Sequence, residues 1–252
     1  METIVVQNNT VAFTRWDYLR SFIGTVLILI LLVFLTAAVI IGVVLSLGLL
    51  TNWLINNLGP LFGRTALAIL GVKLQYDTSE FSPTIPAVYI SNHSSTLDLF
   101  ILISAYFPNV RYVAKKELQY NPLFFILGKL TGQIFIDRRN STKAIDTINE
   151  TYHKIKKQSL SLFIAPEGTR KHELPVGPFK KGAFNIARDL NYPIVPVVIK
   201  GALNLCPGSS LLTKPGVVTL QYFKPIHLSS TDDESLNEQV EKIRNFYISK
   251  LS

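Results

Sequence analysis

Charge is the scarcest ingredient of this 252-residue sequence: 17% of residues are charged and 48% hydrophobic, against roughly a quarter charged in ordinary soluble domains. The shortage is local. No Asp, Glu, Lys or Arg stands between Ser21 and Gly63, and Glu2, Asp17, Arg15 and Arg20 cancel one another, so residues 64–252 carry the whole formal charge of +8. A single cysteine, Cys206, excludes an intrachain disulfide framework and cannot by itself build a cysteine-based zinc site. It has no histidine nearby in sequence and reads as a packed thiol. The four histidines (His93, His153, His172, His227) are scattered without zinc spacing, so no metal site is expected. A Gly-x-Ser-x-Gly nucleophile elbow is missing. So are internal repeats and low-complexity stretches. The sequence pI near 9.5 comes without a basic helix, zinc spacing or ribonucleoprotein motif, which argues against nucleic acid. Anionic lipid headgroups attract the same charges.

What is present begins with the apolar leader. Ser21 to Leu50 is uncharged, roughly 30 residues where ~20 suffice to cross a bilayer's hydrocarbon core. A signal peptide would have an apolar region of only ~7–15 residues followed by small residues; here Ala37 and Ala38 lie inside the run. Arg15 and Arg20 flank one end and Arg64 the other, so flanking charge constrains the orientation only weakly. The Gly59–Pro60 pair reads as a break before a second, amphipathic helix from about Leu61 to Leu70. Residues 1–70 are therefore expected to form membrane-anchoring helices, either a single span or a two-helix device dipping into one leaflet.

From residue 71 to 252 short β-rich runs alternate with helical ones. Strands are expected at 72–76, 87–91, 110–114, 133–137, 160–165, 194–200 and 217–223. Helices are expected at 96–106, 122–131, 142–157, 182–190 and 232–250. In the third of these, Ile145, Ile148, Tyr152 and Ile155 recur at helical spacing, with Lys154, Lys156 and Lys157 at the favoured carboxyl end. Such alternation predicts an α/β domain with a mixed, largely parallel sheet flanked by helices. The continuous apolar runs suit strands covered on both faces, and Pro193 and Pro196 are expected to mark strand edges. Chemistry in such sheets gathers beyond the carboxyl ends of strands.

Four blocks fall there. In the first, Asn92-His93-Ser94-Ser95-Thr96-Leu97-Asp98, residues five apart on a straight helix would diverge by about 140°. If Thr96 caps the helix, Asp98 falls in its first turn and leans back toward His93 in the preceding loop. A carboxylate on one ring nitrogen leaves the other as a general base. The alternative is a helix cap with a locally satisfied histidine. Ser94 and Ser95 read as helpers at a helix start rather than nucleophiles. The second block, Ala165-Pro166-Glu167-Gly168-Thr169-Arg170, offers a carboxylate for a polyol hydroxyl and a guanidinium fork for a phosphate. The third, Gly132 to Arg138, ends a strand on a cation that Asp137 can brace. The fourth comprises Phe179-Lys180-Lys181-Gly182 and Ile194-Val195-Pro196-Val197, and its lysines read as surface charges.

Together the blocks resemble the glycerophospholipid acyltransferase family, particularly its 1-acyl-sn-glycerol-3-phosphate acyltransferase branch. They match N-H-x-x-x-x-D, G-x-I-x-I-D-R, P-E-G-T-R and V-P-V in the family's order along the chain. One departure is visible: Ala165 stands where the family usually has phenylalanine. The resemblance implies a glycerol-3-phosphate acyltransferase-like fold and His93 and Asp98 as the catalytic pair. It implies a glycerol-phosphate site of Glu167, Gly168, Thr169 and Arg170 with Arg138 and Lys115. The implied reaction moves an acyl group from acyl carrier protein or coenzyme A to the sn-2 hydroxyl of lysophosphatidic acid, yielding phosphatidic acid for phospholipid biosynthesis without cofactor. Implied partners are membrane lipids, and the implied location is a bacterial inner membrane with the site facing the cytoplasm. Alternatives are another lysophospholipid or a lyso-ornithine lipid as acceptor, a non-catalytic basic membrane adaptor on the same fold, and a metal-dependent hydrolase.

Overall fold

The structure, a computed structural model, describes residues 3–6, 9–81, 86–105, 107, 109–137, 141–168, 176–207, 211–228 and 233–251. The first element is a small antiparallel hairpin, β1 (Thr3–Val6) and β2 (Asn9–Ala12), which the sequence pattern did not announce. Helix α1 then runs Arg15–Leu45. It starts ahead of the uncharged run because Thr14 and Asp17 form a capping box: the Thr14 amide donates to Asp17 Oδ2 at 2.8 Å and the Asp17 amide to Thr14 Oγ1 at 3.3 Å.

Helix α2 spans Thr51–Ile69 without interruption, so the expected break at Gly59–Pro60 does not occur. Proline inside a helix removes one hydrogen bond and costs about 3 kcal/mol. Packing on both sides of Pro60 offsets this: Leu54 lies against Gly42 of α1, and Phe62, Ala66, Leu67 and the following Leu70 are buried. The two helices run antiparallel. A Cβ on Gly24 would meet Leu70 at 3.1 Å and one on Gly42 would meet Leu54 at 3.0 Å, so early α1 faces late α2 and late α1 faces early α2.

The body is a seven-stranded sheet among the described residues, ordered β3-β9-β8-β4-β7-β5-β6. Its strands are β3 (Val72–Asp77), β4 (Val88–Ser91), β5 (Val110–Lys115), β6 (Ile134–Ile136), β7 (Ser161–Ile164), β8 (Ile194–Lys200) and β9 (Gly216–Tyr222). Neighbouring strands pair in parallel except β8 with β9. The expected mixed, largely parallel sheet is thus observed. Helices α3 (Leu97–Ser104), α4 (Pro122–Thr131), α5 (Ser141–Lys157), α6 (Gly182–Leu190), α7 (Ala202–Leu205) and α8 (Asp233–Leu251) complete the chain, with a 3₁₀ turn at Lys116–Tyr120.

Two apolar cores sandwich the sheet. On one face Tyr89 and Phe163 join Leu97 and Ile101 of α3 and Ile28, Leu32 and Leu67 of the α1–α2 hairpin. On the other, Val88, Ile90 and Leu162 join Phe184, Val240 and Tyr247 of α6 and α8. Alternate residues of β4 enter opposite cores, which is why its sequence is apolar throughout.

Pro196 contradicts the expectation that prolines mark strand edges. It lies inside β8, opposite Ile90 of β4. The Pro196 carbonyl accepts the Phe223 amide at 3.1 Å, so its ring nitrogen, which has no proton to give, faces away from β4. One residue on, the Tyr247 hydroxyl stands between the two strands, giving its proton to the Ile90 carbonyl at 2.7 Å and accepting the Val197 amide at 3.0 Å. An α8 side chain thereby bridges β4 and β8 beside the proline.

Candidate active site

Chain reversal between β4 and α3 creates the site. His93 sits in that loop, and its Nδ1 is 2.9 Å from Oδ2 of Asp98 in the first turn of α3. The same oxygen accepts the amides of Ser94 and Ser95 at 2.8 and 2.9 Å. The expected reach of Asp98 back to the imidazole is therefore present. The expected cap is not: the Thr96 side chain makes no capping bond, and the Ser95 hydroxyl takes that role, accepting the Leu97 amide at 3.1 Å while donating to the Cys206 carbonyl at 2.7 Å. Ser95 and Cys206 are both fully buried, consistent with a helper serine and a packed thiol. Asp98 is also fully buried, whereas the His93 side chain keeps 20% exposure. One partner is locked and the other is presented.

Two contacts with distant parts of the chain hold this loop. The Asn92 amide imitates a strand residue, donating to the Ile199 carbonyl at 2.9 Å and accepting its amide at 2.8 Å. It prolongs the β4–β8 ladder by one side chain. Glu167, in the turn after β7, accepts the His93 backbone amide on Oε1 and the Gly177 amide on Oε2, both at 2.8 Å. Burial pushes the Glu167 carboxyl above the usual range, with these two amides pulling it back. The sequence pointed to Glu167 as a hydroxyl ligand; in the fold both its oxygens clamp the backbone under the imidazole.

Gly168 closes the Glu167 turn at φ +72°, its amide donating to Ala165 at 3.2 Å. The stem of Lys180 passes over it, with Cε and Nζ each 3.1 Å from the place a Cβ would take. Lys180 is exposed, as its reading as a surface charge expects, and it stands directly over this turn. Its place over the turn comes from tertiary packing, and in the sequence only the block Phe179-Lys180-Lys181-Gly182 hinted at it. Arg138, Thr169 and Arg170 lie outside the described residues.

His93 borders a cavity of about 340 Å³. Its walls are apolar residues of α1 to α4 and β5, including Leu32, Pro60, Phe62, Leu127 and Tyr112, and Lys115 and Ala165 also border it. The small side chain of Ala165 leaves open space where β7 ends. A chamber bordered by His93 and Lys115 and lined mostly by apolar side chains is suited to a ligand with a long hydrocarbon arm.

The chain is similar to known proteins in sequence and in fold. A family model described as acyltransferase matches residues 73–200. The chain is 38% identical over 196 residues to a 1-acyl-sn-glycerol-3-phosphate acyltransferase of Cocos nucifera, covering 78% of this chain and 63% of that protein. A Saccharomyces cerevisiae protein of the same name is 35% identical over 73% of this chain and 61% of its own length. An Escherichia coli protein of that name is 32% identical over 79% of this chain and 80% of its own. The chain thus matches only about three-fifths of the coconut and yeast relatives. In fold it is similar to the crystal structure of the 1-acyl-sn-glycerophosphate acyltransferase PlsC from Thermotoga maritima, with a TM-score of 0.76 over 93% of this chain and 95% of that one at 21% identity.

Proposed function

The chain belongs to the acyltransferase family, and on that premise we propose that it acylates the sn-2 hydroxyl of lysophosphatidic acid from an acyl thioester, giving phosphatidic acid. The observation that carries the proposal is the 2.9 Å contact of His93 Nδ1 with buried Asp98 beside the apolar cavity. With Nδ1 held by the carboxylate, Nε2 is the base. It takes the hydroxyl proton as the oxygen attacks the thioester carbonyl. The tetrahedral intermediate then expels the thiolate of coenzyme A or acyl carrier protein, which receives that proton from the imidazolium. Asp98 steadies the imidazolium and the cavity takes an acyl chain. Glu167 positions the His93 backbone, while Gly168, Thr169 and Arg170 with Arg138 and Lys115 receive the glycerol phosphate. No resident cofactor enters the scheme.

Helix α1 is long and apolar enough to cross a membrane, about 46 Å at ~1.5 Å per residue. Dipping into one leaflet is the arrangement that the hairpin favours. Both of its ends are tied to the body, through Arg20 and Ser21 to the Thr213 carbonyl and through the Leu70–Gly71 junction to β3. Its tip, with Leu47 and Leu49 about nine-tenths exposed, points away. Such a seat on the cytoplasmic leaflet delivers the lysolipid from the bilayer and the thioester from the cytosol.

The test is incubation of membranes carrying wild-type protein or His93→Ala with radiolabelled lysophosphatidate and either thioester. Wild type should form labelled phosphatidate and His93→Ala should lose about 10²–10⁴-fold in rate. Retention of a tenth of the activity by His93→Ala overturns the assignment. Conversion of other lysolipids but not lysophosphatidate moves the acceptor.

A further inference from the structure

A second cavity, of about 200 Å³, lies between α4, α5 and the start of β5. It is separate in chemistry from the His93 chamber. Arg111, Lys129, Lys154, Thr151 and Gln133 line it, and its described lining contains no Asp or Glu. Arg111 is 4% exposed and is the second residue of β5, about 13 Å along the strand from Lys115 at ~3.3 Å per residue. One end of its guanidinium is anchored: Nη1 donates to the Val110 carbonyl at 3.0 Å and Nη2 to Asn52 of α2 at 2.7 Å. Its Nε is buried and has no partner.

The orphaned Nε and the Lys154 ammonium converge on Gly132, each 3.4 Å from the position a Cβ there would occupy. Gly132 ends α4 in the left-handed conformation, so the space stays open. Neither cation is paired with a carboxylate among the described residues. The carboxyl end of α4 supplies a partial charge of only about −0.5, against the three positive side chains lining the cavity. A buried guanidinium donor without an acceptor is unfavourable, and an anion in the cavity removes that cost. The space admits a group of several heavy atoms, since one water needs roughly 10–15 Å³ of such volume.

We propose that this cavity binds a phosphate group, with Arg111 as its buried anchor and Lys154 and Lys129 as its rim. The phosphate belongs either to a free anion or to the headgroup of an anionic lipid, because Asn52 joins Arg111 to the hairpin whose apolar face is exposed beside the cavity. The proposal stands apart from acyl transfer: the site shares no charged residue with the His93 chamber.

The experiment uses full-length protein in detergent and two probes. Inorganic phosphate is titrated at constant ionic strength against chloride while thermal unfolding is followed. Binding to phosphatidylcholine vesicles is compared with binding to vesicles in which phosphatidylglycerol replaces a fifth of the lipid. Lys154→Gln and Lys129→Gln change only exposed side chains and keep the fold; Arg111→Gln is read beside them. For a free anion, phosphate raises the unfolding temperature of wild type and of His93→Ala alike, and the lysine variants bind it roughly tenfold more weakly. For a lipid, phosphate has no effect, and the preference for phosphatidylglycerol vesicles falls by a similar factor in Lys154→Gln. If both lysine variants match wild type with both probes, the cations serve only the end of α4 and the proposal fails.

Discussion

Replacing Asp98 with asparagine separates the two tasks a carboxylate performs for a catalytic histidine, orienting it and stabilising its charge. Asp98 Oδ2 accepts three hydrogen bonds, from the Ser94 and Ser95 amides and the His93 ring, while Oδ1 is buried without a partner. An asparagine must place its carbonyl oxygen at Oδ2, because its NH₂ there would face two backbone N–H groups. In that orientation it still accepts from Nδ1–H, so the tautomer is preserved and only the charge is lost. A hydrogen bond to an ionised group contributes about 1.5–3 kcal/mol, so kcat should fall about 10–150-fold. Asp98→Ala strands both amides, the buried one of Ser95 at roughly 1–3 kcal/mol, and should both destabilise the protein and reduce activity to the level of His93→Ala. The assay is acyl transfer at saturating lysolipid and thioester, with the His93 ring tautomer followed by ¹⁵N NMR. If Asp98→Asn is as inactive as His93→Ala while Nδ1 stays protonated, the charge argument is wrong. If Nδ1 loses its proton, the amides do not orient the side chain as reasoned.

Other consequences are equally specific. Glu167→Gln can accept only one of the two amides that Glu167 holds, so stability should fall by roughly 1–3 kcal/mol and kcat should fall more than KM rises; an unchanged kcat would remove Glu167 from the positioning of His93. Gly63→Ala would put a Cβ 2.6 Å from the Ser104 amide and 2.7 Å from the Phe100 carbonyl of α3. Overpacking against backbone should cost roughly 1–3 kcal/mol, read as a lowered unfolding temperature, and an unaltered one would mean that α2 and α3 separate freely. Hydrogen bonds from Ser79, and then from Gln221 of β9, hold the Asp77 carboxyl at about 2. Because that value is depressed, its stabilisation is complete above the unfolded value near 4 and is lost as pH falls toward 2. The unfolding-temperature gap between wild type and Asp77→Asn should close over that interval, and a constant gap would refute the linkage.

Residue order alone determined what depends on near neighbours. Hydrophobic period separated the apolar leader from the alternating body, and five-residue spacing across a helix start put Asp98 within reach of His93, because a first-turn side chain leans back toward the preceding loop. The leader was harder: a proline that normally ends a helix is carried through α2 by contacts with α1 and the core, which no local pattern contains.

Tertiary structure decided the partners chosen across long stretches of chain. Glu167 reaches His93 across 74 residues, and Asn92 meets Ile199 across 107. Both pairings follow from strand order, which places β7 and β8 on either side of β4. Tyr247 at Pro196 and Lys180 over Gly168 arise in the same way, from packing that joins segments with no sequence relation. The motifs named the groups capable of chemistry. The sheet decided which of them meet, because an unpaired polar group is costly in a buried interior, and its partner is whichever one the fold brings within reach.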